Sequence, residues 1–267
     1  MSTQQVDSFP MSDRGLAYGD GLFETILVRN GSPFFWNEHM ERLADGAARL
    51  GFTPPCRSEL EAVLTRAGAG LCVLKLLFTR GSGGRGYAPP AQALPSWSYH
   101  FSPFEPDRAR QHQGVTVRLC ALKLSIQPQL AGIKHLSRLE NVLARQEWSD
   151  SRIAEGVLSD LDGHVIEATA MNVAWFDGRQ WLTPRLDRCG VGGTLRRALI
   201  ERGFLTQAVL RTQNLPSVQA MIVFNSVQGC WPVTSLVSAD GAPVTHWALS
   251  EPVKTMTRQA NALLGYD

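Results

Sequence analysis

The sequence predicts an α+β fold in two domains, built of mixed and antiparallel sheets with flanking helices. Strand-like segments come in hairpin pairs, with turns at Asn30-Gly31, Asp162-Gly163 and Asp177-Gly178. Turns of this composition join antiparallel strands. Consecutive hairpins exclude a doubly wound parallel sheet, in which each strand is followed by a crossover helix. The stretch "PFEPDRARQHQG", residues 103–114, is polar, proline-containing and weakly patterned, so it reads as a linker. The predicted boundaries are 1–106 for a smaller N-terminal α/β domain, 107–114 for the linker and 115–267 for a larger C-terminal domain.

In chain order, "GLFETILVRNGSPFF" reads as two strands meeting at Asn30-Gly31. "WNEHMERLADGAARLGF" has helical periodicity and ends near Gly51, a residue type that commonly closes helices. "RSELEAVLTRAGAG" is a second helix and "LCVLKLLFTR" an aliphatic strand. After the linker, "VTVRLCALK" is a strand, and "GIKHLSRLENVLARQEW" carries Leu136, Leu139, Val142 and Leu143 at helical spacing. That spacing predicts one apolar stripe, with Lys134 at the point where the helix begins. Two hairpins follow, "EGVLSDLDGHVIEAT" and "NVAWFDGRQWLTP". "GVGGTLRRALIERG" is a glycine turn entering a helix, and "AMIVFNSVQGCWPV" a buried strand leading into a loop.

With 267 residues, 44% of them hydrophobic and 19% charged, the chain has ordinary globular composition. The formal charge of +2 is spread along the chain, which leaves no basic stripe for nucleic acid and no membrane-binding face. Five dispersed cysteines without a CxxC pair argue against a disulfide framework and against zinc, and suit a reducing compartment. The polar N-terminus lacks the apolar core of a signal peptide, and no apolar run approaches the ~20 residues that span a bilayer. The expectation is a cytoplasmic protein that binds a small molecule and no metal.

"RGSGGRGY", residues 80–87, contains a formal G-x-G-x-x-G after a strand. "YAPPAQALP" follows, however, and adjacent prolines open no helix to receive a pyrophosphate, so the dinucleotide reading fails. Two readings of this loop stay open. Arg80, Arg85 and Tyr87 suit recognition of a substrate carboxylate, and a glycine turn with solvated arginines fits equally. The helix after "GVGG" can hold a phosphate at its N-terminus or can be a plain turn into a helix. Glu167, in a strand, is one carboxylate without an evident carboxylate partner, which disfavours a glycosidase pair. His39 and His135 read as structural or surface residues. No HExxH, HxxEH or GxSxG motif is present.

Taken together, these stretches resemble the branched-chain-aminotransferase-like enzymes that use pyridoxal phosphate (PLP), known as fold type IV. "DRGLAYGDGLFET" (13–25), "EHMERL" (38–43), "RGSGGRGY", "LAGIKHLSRLENVLAR" (130–145), "IEATAMNVAWF" (166–176), "TPRLDRCGVGGTLRR" (183–197) and "VFNSVQGCWPV" (223–233) stand in the family's order and span nearly the whole chain. "RGSGGRGY" and "GIKHLSRLENVL" place the resemblance with the family's aminodeoxychorismate lyase branch rather than with its aminotransferases. The resemblance implies a homodimer, a PLP-binding C-terminal domain and a role for each matched position. Lys134 matches the lysine that carries the cofactor, Glu167 the acid on its pyridine nitrogen, and Arg42 the arginine on its phosphate. Gly193, Thr194 and Leu195 match the helix N-terminus that cups the phosphate, and Asn225 and Ser226 a further phosphate contact. Arg85 and Tyr87 align with substrate-carboxylate positions, and Thr25 with residues near the reacting centre. The aminotransferases carry a tyrosine a few residues after the lysine. "HLSRLEN" has none, which leaves that place to Arg138 or another group.

Overall fold

The computed structural model describes residues 3–266, which form two compact units. The first comprises residues up to Glu105 together with Ile133–Ser137, and the second Pro106–Gly132 with the rest of the chain from Arg138.

The first unit contains β1 (Gln4–Gln5), α1 (Arg14–Tyr18), β2 (Gly21–Arg29), β3 (Ser32–Pro33), α2 (Trp36–Leu50), α3 (Arg57–Leu64), β4 (Leu71–Thr79) and β5 (Ser96–Pro103). Its sheet runs in the order β1-β5-β4-β2-β3, antiparallel except for the parallel β1–β5 edge. The predicted hairpin is present. Asn30 and Gly31 both take positive φ, 50° and 78°, as a two-residue turn between twisted strands requires. Alternation along β2 buries Leu22, Glu24, Ile26 and Val28 on one face, against which α2 packs Met40, Leu43 and Ala47. Gly51 closes α2 in the left-handed conformation.

The second unit holds α4 (Arg108–Gln113), β6 (Val115–Leu124), α5 (Leu139–Arg145), β7 (Ile153–Asp160), β8 (Val165–Ala168), β9 (Asn172–Phe176), β10 (Trp181–Pro184), α6 (Thr194–Glu201), β11 (Thr206–Ala208), β12 (Ala220–Asn225), β13 (Gly229–Val237), β14 (Pro243–His246) and α7 (Glu251–Ala262). The sheet order is β11-β10-β9-β12-β13-β6-β7-β8, with β14 on β13. Val117, Val157, Val173, Met221, Val223, Trp231 and Leu236 form the centre of its core.

Two expectations change here, those for the linker and for the apolar stripe of α5, while the second sheet is mixed as expected. Residues 108–113, read as linker, form α4, capped by the Asp107 carboxylate on the Arg110 N–H at 3.0 Å. The hairpins β7–β8 and β9–β10 are antiparallel, but β6 pairs in parallel with both β13 and β7. The β6–α5–β7 connection is long enough to return the chain in the same direction, which a hairpin turn cannot do. The apolar stripe of α5 exists but is not covered by its own unit: Leu139 is 68% exposed, Val142 49% and Leu143 48%, and Ala144 is the buried residue of the helix. Helical spacing marks an apolar face and does not say what covers it.

All five cysteines are free thiols, and burial pushes Cys120, Cys189 and Cys230 up to about 12. Among the described residues, no helix is long and apolar enough to cross a membrane.

Candidate active site

Lys134 does not stand at the start of a helix. It lies in the segment 133–137, which folds with the first unit and runs antiparallel along the beginning of β2. The Phe23 N–H donates to the Lys134 carbonyl at 3.0 Å, and the Leu136 N–H to the Gly21 carbonyl at 2.9 Å. Pairing with a strand makes Lys134 the cross-strand neighbour of Phe23, so both side chains leave the sheet on the same face. The half-buried Lys134 accordingly sets its Nζ 4.2 Å from the centre of the Phe23 ring. Thr25, two residues further along β2, points to that face as well. The sheet backbone, and not the helix that follows, fixes the direction of this lysine.

On the opposite face of β2 lies an ionic cluster that the motifs did not single out. Glu24 is 1% exposed, and its carboxylate accepts from His39 Nδ1 at 2.6 Å, from Arg42 Nε at 2.8 Å and from Arg42 Nη2. Burial alone would raise the carboxyl's pKa. The Arg42 guanidinium and the His39 hydrogen bond outweigh it and bring the value to about 2. Burial holds His39 below its ordinary value despite Glu24, so the neutral ring donates its Nδ1–H. The cluster fixes Arg42, the matched phosphate arginine, by a two-pronged contact at the middle of α2. A glutamate on the apolar face of a strand, with His39 and Arg42 one helical turn apart, was the available signal.

In the second unit, Glu167 is 3% exposed, which removes the reading of a solvent-facing strand residue. Its Oε2 accepts from the Val191 N–H at 2.7 Å and its Oε1 from Asn141 Nδ2 at 3.3 Å. Asn141 is itself fixed by donating to the Thr169 carbonyl at 3.1 Å. Arg138, at the cap position of α5, feels the same carboxylate. Burial lowers its pKa, while Glu167 and Glu140 oppose that.

The chain then enters α6 through Gly193, whose Cβ, were it present, would fall 2.0 Å from Asn172 Oδ1. Only glycine fits there, and Thr194 and Leu195 follow it as buried first-turn residues. This N-terminus suits an anion, because the N–H groups of a first helical turn have no partner within the helix. A cavity of about 450 Å³ lies next to it, lined by Gly132, Arg185, Asp187, Gly192, Arg196 and Gln207. The Arg196 guanidinium is engaged by Pro184 O at 2.7 Å, Gln207 Oε1 at 3.0 Å and Thr183 Oγ1 at 3.3 Å, and burial brings its pKa down to about 10.

Two expected ligand positions have other work. Arg80, proposed for a substrate carboxylate, is 8% exposed and donates to Asp20 at 2.7 and 3.0 Å, to Leu50 O at 2.6 Å and to Gly51 O at 2.9 Å. Its fork is taken up inside the first unit. The Asn225 side chain accepts from the N–H groups of Val227 and Gln228 at 2.9 and 2.7 Å and donates to the Ala170 carbonyl at 3.1 Å. Its carboxamide therefore builds the turn between β12 and β13, and the adjoining Ser226 is buried. Arg85 and Tyr87, by contrast, are exposed in the glycine loop, as a substrate-facing pair requires.

Taken unit by unit, the first supplies an amine on a strand pairing and a fixed arginine, and the second a buried oriented carboxylate and a helix N-terminus, and each is a residue type that fits a phosphorylated pyridine aldehyde. Comparison with known proteins identifies the family. Residues 21–236 match the family model of the class IV amino-transferases. The chain is 32% identical to an aminodeoxychorismate lyase of Vibrio harveyi over 94% of its own length and 93% of that protein's. The crystal structure of 4-amino-4-deoxychorismate lyase from Pseudomonas aeruginosa superposes with a TM-score of 0.86 at 39% identity, covering 98% of this chain and 96% of that one. A D-alanine aminotransferase of Bacillus licheniformis is 30% identical over 61% of this chain and 58% of its own. A family model that matches most of the chain and a relative similar along nearly its whole length lead to one conclusion: this chain belongs to the class IV amino-transferase family of enzymes.

Proposed function

We propose that the chain is a PLP-dependent lyase that converts 4-amino-4-deoxychorismate to 4-aminobenzoate and pyruvate. The observation that carries this reading is similarity along nearly the full length, at 32% and 39% identity, to proteins named for that substrate, where aminotransferases that match a comparable length are less similar. The loop "RGSGGRGY" and the missing tyrosine after Lys134 support it.

The cofactor, when bound, supplies an electron sink for the pair released as a carbon–hydrogen bond ionises. Lys134 would anchor it covalently, and Arg42, the first turn of α6 at Gly193–Leu195 and Ser226 would hold its phosphate. Glu167, oriented by the Val191 N–H and Asn141, would hold a proton on the pyridine nitrogen. Lys134 Nζ, freed when the substrate amine takes its place on the cofactor, would take the proton from C4 of the substrate as general base. The electron pair becomes a ring double bond as the adjacent carbon–oxygen bond breaks, and the enolpyruvyl group leaves, takes up a proton and departs as pyruvate. Formation of the aromatic ring drives this step. Arg85 and Tyr87 receive substrate carboxylate, Thr25 faces the reacting centre beside Lys134, and Arg138 or another group serves in place of the aminotransferase tyrosine. A homodimer accompanies this reading, and the uncovered apolar face of α5 gives it a surface to bury.

The test is turnover of aminodeoxychorismate with no keto acid added. A lyase makes 4-aminobenzoate and pyruvate over many cycles, because no amino group stays on the enzyme. One equivalent of product followed by a stall, relieved by a keto acid, assigns the chain to aminotransferases instead.

Glu167→Gln is expected to lower kcat about 100-fold while the cofactor remains bound, because a neutral amide cannot hold the ring nitrogen protonated. Retained absorbance of the bound cofactor together with unchanged kcat would remove Glu167 from the chemistry.

A further inference from the structure

The buried Arg14 of α1 engages the glycine loop from below. It is 4% exposed, and a guanidinium so far out of water needs acceptors for its donors. Its Nη1 donates to Gly86 O at 3.2 Å and Ala88 O at 3.3 Å, and its Nη2 to Tyr87 O at 2.9 Å, three consecutive carbonyls of the loop. Its Nε donates to Asp20 Oδ2 at 2.9 Å, on the carboxylate that Arg80 also grips. Asp20 therefore ties both ends of the loop, through Arg80 at its start and through Arg14 at residues 86–88. Further contacts reinforce this. The Arg14 N–H donates to Gly81 O at 3.0 Å, Ser12 and Ser82 hydroxyls meet at 3.0 Å, and the Tyr18 and Tyr87 rings stack edge to face at 5.5 Å.

This clasp has a physical purpose. Gly81, Gly83, Gly84 and Gly86 all take positive φ, and a glycine-rich segment loses more backbone entropy on ordering than any other. Arg85 has its own side chain in solvent between the residues held at Ser82 and at Gly86–Ala88. Without the clasp its guanidinium would be presented correctly for only a fraction of the time, and apparent affinity falls by that fraction.

We propose that Arg14 is a positioning residue for substrate recognition: through Asp20 and the carbonyls of residues 86–88 it holds the loop in the conformation that presents Arg85 and Tyr87 to the substrate. This rests on the lyase reading for the identity of the substrate, and on the first unit's own contacts for the clasp.

Arg14→Gln and Arg14→Lys are compared with the wild-type holoenzyme by amide hydrogen exchange and by steady-state kinetics with aminodeoxychorismate. For Arg14→Gln, exchange across residues 81–88 accelerates at least about tenfold while β2 and β4 stay protected, and KM rises about tenfold with kcat changed less than about twofold. Arg14→Lys, which keeps the charge but reaches fewer acceptors, falls between the two. Should Arg14→Gln expose β2 and β4 as well, Arg14→Lys carries the comparison. Loop exchange and KM both unchanged in the variant that folds overturn the clasp and leave the lyase reading standing. Faster loop exchange with an unmoved KM overturns the role in recognition. A wild-type protein inert toward aminodeoxychorismate overturns the lyase reading, and the substrate part of this proposal with it, while the exchange result still decides the clasp.

Discussion

Lys134→Ala is expected to abolish turnover, lowering kcat by at least about 10⁴-fold, because in the proposed mechanism one amine serves both as anchor of the cofactor and as the base that takes the substrate proton. The local fold should survive, since the segment's hold on β2 runs through the Lys134 carbonyl and the Leu136 N–H, which alanine keeps. Borohydride reduction followed by mass spectrometry reads this without any turnover. The wild-type chain gains the mass of the cofactor at Lys134, and the variant gains none. A variant that still turned over substrate at a tenth of the wild-type rate would remove Lys134 from the mechanism.

Glu24→Ala is expected to cost about 3–5 kcal/mol of stability at neutral pH, since it strands the Arg42 guanidinium in the core beside a neutral histidine. Acid titration gives the same cluster a second signature. The folded pKa of Glu24, about 2, lies below its ordinary 4.5, so its contribution is fully present above about pH 4.5 and is lost as pH falls toward 2. His39 is also depressed, so its contribution fades as pH drops below its ordinary 6.5. Denaturant melts of wild type and variant should therefore converge on acidification. A difference under about 1 kcal/mol at pH 7, or one that does not change with pH, would mean that the ion cluster contributes no net stability.

Local chemistry determined the parts that could be read from the chain. Asn30-Gly31, Asp162-Gly163 and Asp177-Gly178 specify tight turns through backbone conformations that few other pairs adopt, so β2–β3, β7–β8 and β9–β10 were legible. The periodicity and glycine cap of α2 and the glycine entry into α6 were legible for the same reason, each carried by a few consecutive residues, and the family by several such stretches in order. Long-range partners were not. Nothing in "GIKHLSRLENVL" says that residues 133–137 pair with β2, because a strand's partner is chosen by pairing across a hundred residues. That pairing, rather than the helix, aims Lys134. Polar satisfaction worked against the motif in the same way. Arg80 and Asn225 have the right chemistry for ligands, but once buried among carbonyls and N–H groups they are held by the fold. Arg85 keeps its side chain in solvent, while Arg14 donates to the carbonyls of the same loop. Residue type sets what a side chain can bind. Tertiary structure decides which side chains remain available to bind it, because buried donors and acceptors must be satisfied before any ligand arrives.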